Sequence, residues 1–258
     1  HVLVDKPFTV TRAEAQAVAD AAARAGRIVS VFQNRRWDAD FLTVRALLAA
    51  GILGEIAEFH SHFDRHRPQV RDRWRESDAP GAGLWFDLGP HLLDQALQLF
   101  GRPQALTVDL QRQRAGARSV DYVDATLHYD RLRVHLHAGS LVADSRLRFA
   151  LHGSAGSFVK HGLDPQEAQL KAGMRPGDAG WGVDPLPGTL TTVDAGGSLQ
   201  QSRPANAVGD YRACYAALRD AMAGTAPAPV SPAEAVALMD LIELGERSAA
   251  LGRRLELD

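Results

Sequence analysis

A change of hydrophobic period near residue 55 constrains this chain more than any other feature. Before it, two short apolar runs, Val2-Leu3-Val4 and Ile28-Val29-Ser30-Val31-Phe32, flank one amphipathic helical stretch. Near-continuous apolar strands around a helix predict a parallel βαβ unit, covered on both faces, of the kind found in doubly wound domains. Beyond residue 55 the period falls to two. Ala57, Phe59, Ser61 and Phe63 alternate with Glu58, His60 and His62, and similar runs recur over 106–110, 122–129, 131–142 and 146–151. Alternation of this kind predicts a mostly antiparallel sheet with a single apolar face.

Helix signals fit between these strands. Thr11 and Glu14 form a capping box, Ala15, Val18, Ala22 and Ala25 share a face, and Gly26 stops the helix. Asp38 is placed to cap a second helix that buries Phe41, Val44 and Leu48. Residues 160–204 break the regularity: a short helix opened by Asp164-Pro165 and closed by Gly173 interrupts them, and order is expected at Trp181 and at the Asp-Ala-Gly-Gly turn over 194–197. An irregular stretch this long carries function or disorder. Two helices close the chain, one over 208–222 and one opened by the box Ser231-Pro232-Ala233-Glu234.

The composition, with 258 residues, 45% hydrophobic, 23% charged and a net charge of -2, gives no footprint for nucleic acid. The single cysteine, Cys214, rules out an intrachain disulfide, which fits a reducing cytoplasm. No apolar run approaches the roughly 20 residues of a membrane helix. No spacing of His, Cys and acidic residues calls for a metal. The outward positions of the alternating strands carry Thr126, His128, Arg133, His135, His137, Arg148 and His152, and no lysine. Such a face is either solvated or a surface for self-association.

Chemistry concentrates after Gly81-Ala82-Gly83. Asp87, His91, Asp94 and Gln98 fall at helical spacings and form a polar stripe, opposite Leu93, Ala96, Leu97 and Phe100, which face the core. Pro90 is expected within the first helical turn, so that Asp87 and His91 straddle the N-terminus. The helix dipole there favours an ionised Asp87 and a neutral His91, able to act as a general base with its tautomer set by the carboxylate. Equally, Asp87 is a cap and His91 a surface residue. Lys6, at the end of the first strand, is either poised for chemistry or solvated.

The motifs Asp5-Lys6-Pro7, Phe32-Gln33-Asn34-Arg35-Arg36-Trp37-Asp38 and Asp87-x-x-x-His91-x-x-Asp94, in this order, resemble the Gfo/Idh/MocA family of nicotinamide-dependent oxidoreductases. The segments His62-Phe63-Asp64-Arg65 and 162–168 are most similar to the branch that includes NADP-dependent scyllo-inositol dehydrogenases. The resemblance implies catalytic roles for Lys6, His91 and Asp87: Lys6 contacts the substrate hydroxyl and the nicotinamide, His91 is the acid/base, and Asp87 positions substrate or histidine. It implies cofactor contacts from Lys6, Pro7, Arg36 and Trp37, and substrate contacts from Asn34, Asp87, His91 and Arg65. The basic loop Arg65, His66, Arg67, Arg71, Arg73 and Arg75 is either ordered over a polyol or phosphate or solvated. Asp5 stands where the family has glutamate, and Asp94 is read as a structural partner.

A G-x-G-x-x-G fingerprint opening a βαβ unit is absent, which is the main departure from the family. The expected fold class is therefore α/β (α+β): residues 1–35 as the last strand-helix-strand of a Rossmann dinucleotide-binding domain, then residues 36–258 as a substrate-binding and oligomerisation domain. The latter is a large, mostly antiparallel open-faced sheet with helices on one face. The implied function is hydride transfer between NADP or NAD and a sugar or polyol. The alternative is a non-catalytic, ligand- or protein-binding member of the same fold. The implied partners are a small polyol or sugar substrate and a second copy of the chain, in a homodimer or higher oligomer through the open sheet face, with neither nucleic acid nor membrane.

Overall fold

A computed structural model describes residues 1–144, 146–194 and 196–257. A parallel pair, β1 (Val2–Val4) and β2 (Val29–Val31), brackets α1 (Arg12–Arg24), whose Thr11/Glu14 capping box is complete. A 3-10 turn over 34–37 leads into α2 (Ala39–Ala49). There follow β3 (Ile56–His62), α3 (Leu84–Phe100), β4 (Ala105–Gln111), β5 (Tyr122–His128), β6 (Arg133–Gly139), β7 (Leu147–Gly153) and β8 (Gly156–His161). The chain continues with α4 (Gln166–Lys171), β9 (Thr189–Val193), β10 (Leu199–Ser202), α5 (Arg212–Met222), α6 (Pro232–Leu251) and β11 (Leu255–Glu256).

Nine strands form one sheet in the order β10-β9-β8-β7-β3-β6-β5-β4-β11. Only β3 and β6 run parallel; the other neighbours are antiparallel. That parallel pair needs a crossover, and α3 provides it, lying on β5 and β6. One sheet face is dry: Phe59, Leu127, Val134, Leu136, Leu151 and Phe158 are buried beneath the helices. Each such side chain contributes about 1.5–3 kcal/mol by leaving water. None of the described helices is long and apolar enough to cross a membrane.

Helix α3 starts earlier than Pro90 predicts. Leu84 is its first residue, so Pro90 lies in the interior and His91 in the second turn. Tertiary bonding explains the difference: the Leu84 amide donates to the Val120 carbonyl at 2.7 Å, and Trp85 is buried with its indole N–H on the Ile242 carbonyl at 3.0 Å. Gly83, at φ +89°, lets the chain enter this close; a Cβ there would sit 2.9 Å from the Val120 nitrogen. Gly245 on α6 likewise makes room for the Trp85 ring, which an added Cβ would meet at 2.4 Å.

Arg148 corrects the reading of the outer face. A bulge between Leu147 and Phe149 shifts the register of β7 and carries Arg148 to the helix side, where it is fully buried. Its Nε donates to Asp40 Oδ2 at 3.0 Å, Nη1 to Ser61 Oγ at 2.8 Å and Nη2 to Gln95 Oε1 at 2.7 Å. The guanidinium carbon stands 4.0 Å from the Phe63 ring centroid and 3.8 Å from that of Phe149. Asp38 is the residue before α2, but its side chain does not cap; Asp164 Oδ2 accepts the Ala39 amide at 2.7 Å instead.

Strands β8 to β11 lie outside the sequence-predicted set. β8 begins at a glycine and includes Lys160, buried against Asp184 at 2.9 Å, while β9 and β10 have too little apolar alternation to signal a strand. The expected turn over 194–197 lies in the β9–β10 connection, where Asp194 Oδ1 accepts the Gly196 and Ser198 amides, both at 2.9 Å. Ala195 of that turn lies outside the described residues.

Replacing Arg148 by alanine leaves Asp40 buried without its cation and is expected to cost about 3–5 kcal/mol in urea unfolding. Removing both charges as Asp40→Asn with Arg148→Met should cost less than the sum of the single changes. Additive losses would contradict the coupling.

Candidate active site

The carboxyl ends of β1 and β2 open on a cleft of about 700 Å³ that also takes residues from the segment after β3, from α3 and from α4. Lys6, Asn34, Arg65, Asp87 and His91, expected from sequence, all line it. Pro7 borders an adjoining pocket of about 300 Å³ that shares Lys6 and Asp87. Arg36 and Trp37 do not line the cleft. Arg36 is buried, its Nε and Nη2 on the two Asp94 carboxylate oxygens at 2.9 and 2.6 Å and its Nη1 on the Pro229 carbonyl at 2.8 Å. This bidentate pair turns the arginine away from the cleft and gives Asp94 the structural role expected of it.

Lys6 and Asp87 form the central pair. The Lys6 ammonium donates to the main-chain carbonyl of Asp87 and, at 3.0 Å, to its Oδ1, while Arg75 Nε approaches the same oxygen at 3.5 Å. Burial lowers the Lys6 pKa, and Asp87 offsets only part of that shift. Burial by itself would raise Asp87, but Lys6, Arg75 and Arg65 outweigh it and hold the carboxyl below its ordinary range. Asp87 is thus neither a helix cap nor a partner of His91.

His91 is 5% exposed, and its Nδ1 is buried without a hydrogen-bond partner among the described residues. Burial, followed by the nearby charges of Arg35, Lys6, Arg148 and Arg65, pushes its pKa well below the ordinary imidazole value. The ring is therefore neutral, as the sequence predicts, but the cause is desolvation and a surrounding set of cations. A neutral imidazole beside an ammonium that is itself easier to deprotonate than usual can exchange a proton with a bound hydroxyl or carbonyl.

Further cleft residues are ones to which the sequence assigned no individual role. Arg35 is held by Asp38 at 3.2 Å and Glu167 at 3.0 Å, with its guanidinium carbon 4.8 Å from the Phe63 centroid. Tyr211, whose hydroxyl donates to Asp38 at 2.9 Å, and Glu167, Leu170 and Lys171 from α4 complete the wall. The available signal was the Asp164-Pro165 helix start within the irregular 160–204 stretch. A second cavity, of about 670 Å³ beside α1 and α6, contains no comparable acid/base group.

The known proteins most informative here share both sequence and fold. The model of the oxidoreductase family C-terminal alpha/beta domain matches residues 45–257. The chain is 53% identical over 249 residues to the uncharacterized oxidoreductase YdgJ of Escherichia coli, covering 96% of this chain and 72% of that protein. It is 37% identical over 261 residues to the scyllo-inositol 2-dehydrogenase (NADP(+)) IolW of Bacillus subtilis, covering 100% of this chain and 72% of that one. The solved structure of YPO2259 from Yersinia pestis superposes with a TM-score of 0.95 at 50% identity, over 100% of this chain and 73% of that one. With the open-faced sheet and the matched domain, these findings establish that the chain belongs to the Gfo/Idh/MocA family of oxidoreductases and carries its C-terminal α/β domain.

Proposed function

We propose that the full-length protein is an NAD(P)-dependent dehydrogenase or reductase acting on a polyol or sugar of inositol-like character. The observation that carries this reading is His91, neutral, buried and with an unpartnered ring nitrogen, on the same cleft as the Lys6–Asp87 pair. The similarity to IolW supports a polyol substrate and NADP over NAD.

The nicotinamide, when bound, supplies or accepts the hydride. His91 takes the hydroxyl proton in the oxidative direction and returns it in the reductive one. The Lys6 ammonium donates to the reacting oxygen and stabilises charge developing there, while Asp87 keeps that ammonium in place. Asn34 and Arg65 offer hydrogen bonds to the remaining hydroxyls. Lys6 and Pro7 would hold the nicotinamide end of the cofactor, whereas Arg36 and Trp37 do not line the cleft.

Residues 1–35 fit the closing strand-helix-strand of a Rossmann domain: β1 and β2 are parallel, and the cleft lies beyond their carboxyl ends. The open sheet face fits a homo-oligomeric interface. His60 stacks on His135 with centroids 4.7 Å apart, and His62 and His137 both bond Asp64, at 3.0 and 2.6 Å. A cytoplasmic location fits Cys214, a buried thiol whose pKa is pushed up to about 11.

His91→Ala in the full-length enzyme is expected to lower kcat about 10²–10⁴-fold, and Lys6→Ala about 10²–10³-fold; wild-type turnover in either variant would remove these roles. Because the folded His91 pKa lies below 6.5, the base form persists as pH falls, so the acid limb of kcat/KM for alcohol oxidation should lie below pH 6.5. The unfolded chain takes up this proton first, so His91 also costs stability as pH drops below 6.5. The 258-residue chain alone should bind NADPH weakly by calorimetry, with micromolar affinity contradicting the proposal. Sedimentation should show a dimer or larger species, and a monomer at high concentration would count against the sheet-face interface.

A further inference from the structure

The charge balance of the cleft wall is uneven. The segment after β3 contributes five arginines to the lining, at positions 65, 67, 71, 73 and 75. Three nearby carboxylates are engaged in ion pairs, Asp87 by Lys6 and Arg75, Glu76 by Arg73 at 2.7 Å, and Glu167 by Arg35 and Lys171, while Asp5, which also lines the cleft, accepts the Lys6 amide at 2.8 Å. Arg65 and Arg67 make no ion pair with a carboxylate among the described residues. They are also well fixed, since the Arg65 amide donates to the Gly139 carbonyl at 2.9 Å and the Arg67 amide to the Ser140 carbonyl at 2.7 Å. The Arg67 bond flanks an isolated antiparallel bridge between His66 and Leu141, and both arginine side chains line the cleft. Burial first, and then the charge of Arg67, lower the Arg65 pKa by more than Asp87 and Glu167, which stand beyond ion-pair distance, offset.

We propose that Arg65 and Arg67 form an oxyanion subsite within the cleft, and that the substrate is a polyol or sugar bearing a carboxylate or phosphate group. The inference rests on the polyol reading and narrows it to an anionic class. A half-buried pair of like charges is costly until a counter-ion arrives. The planar guanidinium matches both carboxylate and phosphate through paired N–H donors. A neutral polyol satisfies such donors but leaves their charge uncompensated.

The test is titration calorimetry of the full-length protein with NADP bound, comparing scyllo-inositol, gluconate and an inositol monophosphate. At least one anionic ligand should bind about tenfold or more tighter than the neutral polyol, and whichever does so identifies the anionic group. Arg65→Gln and Arg67→Gln should each remove most of that preference, and Arg67→Lys should restore part of it. Arg131→Gln, at an exposed site paired with Glu55 at 3.7 Å, controls for bulk charge and should keep the preference. Equal binding of neutral and anionic ligands, a preference that survives both cleft substitutions, or a loss confined to NADP affinity would each overturn the proposal. Because binding is read without turnover, a failure to observe hydride transfer would count against the proposed reaction and leave this result standing.

Discussion

The buried guanidinium of Arg148 is the interaction on which the rest of the domain depends. A fully buried cation is tolerated only where partners replace its lost hydration. Here they come from separate elements: Asp40 on α2, Ser61 on β3 and Gln95 on α3, with the rings of Phe63 and Phe149 on either side. Satisfying one side chain therefore fixes two helices against the middle of the sheet. The bulge in β7 is what turns Arg148 toward them.

That network reaches the cleft through one amide side chain. Gln95 accepts from Arg148 and donates through Nε2 to the Arg35 carbonyl at 3.0 Å, which holds the 3-10 turn containing Asn34 and Arg35 in place. Arg36 in the same turn is locked to Asp94 one helical turn beyond His91. Arg148 is also among the cations that keep His91 neutral. The core network and the ionisation of His91 thus share a charge, and Lys6 and Asp87 form a separate pair that faces the cleft.

The two sheet faces solve different problems. The helix-covered face buries aromatic and aliphatic side chains around the guanidinium of Arg148. The open face retains histidines, and there Asp64 organises His62 and His137: burial would lower His137, but the hydrogen bond and charge of Asp64 raise it, while Asp64 itself is held well below the usual carboxylate range. A half-buried surface of rings and short polar groups has little side-chain entropy to lose on association, unlike one rich in lysine.

Much of the domain was legible because its signals are local. Capping boxes at Thr11 and Ser231, the period-two runs of β3 to β7 and the stripe of α3 depend on neighbours within a few residues, and each appears close to where the pattern places it. Local signals failed where a distant partner decided the outcome. Helix α3 starts before Pro90 because Val120 and Ile242 bind its first turn, and Arg148 changes face because of a bulge. Arg36 leaves the cleft for Asp94, and Asp87 pairs with Lys6, 81 residues away, and not with His91 one turn along the same helix. Sequence alone determined the fold class and singled out several of the residues that line the cleft, since periodicity and motif spacing are properties of the chain itself. Only the tertiary structure decided which charges meet, because burial makes an ion pair or an unpaired ring nitrogen matter, and burial exists only once the elements pack.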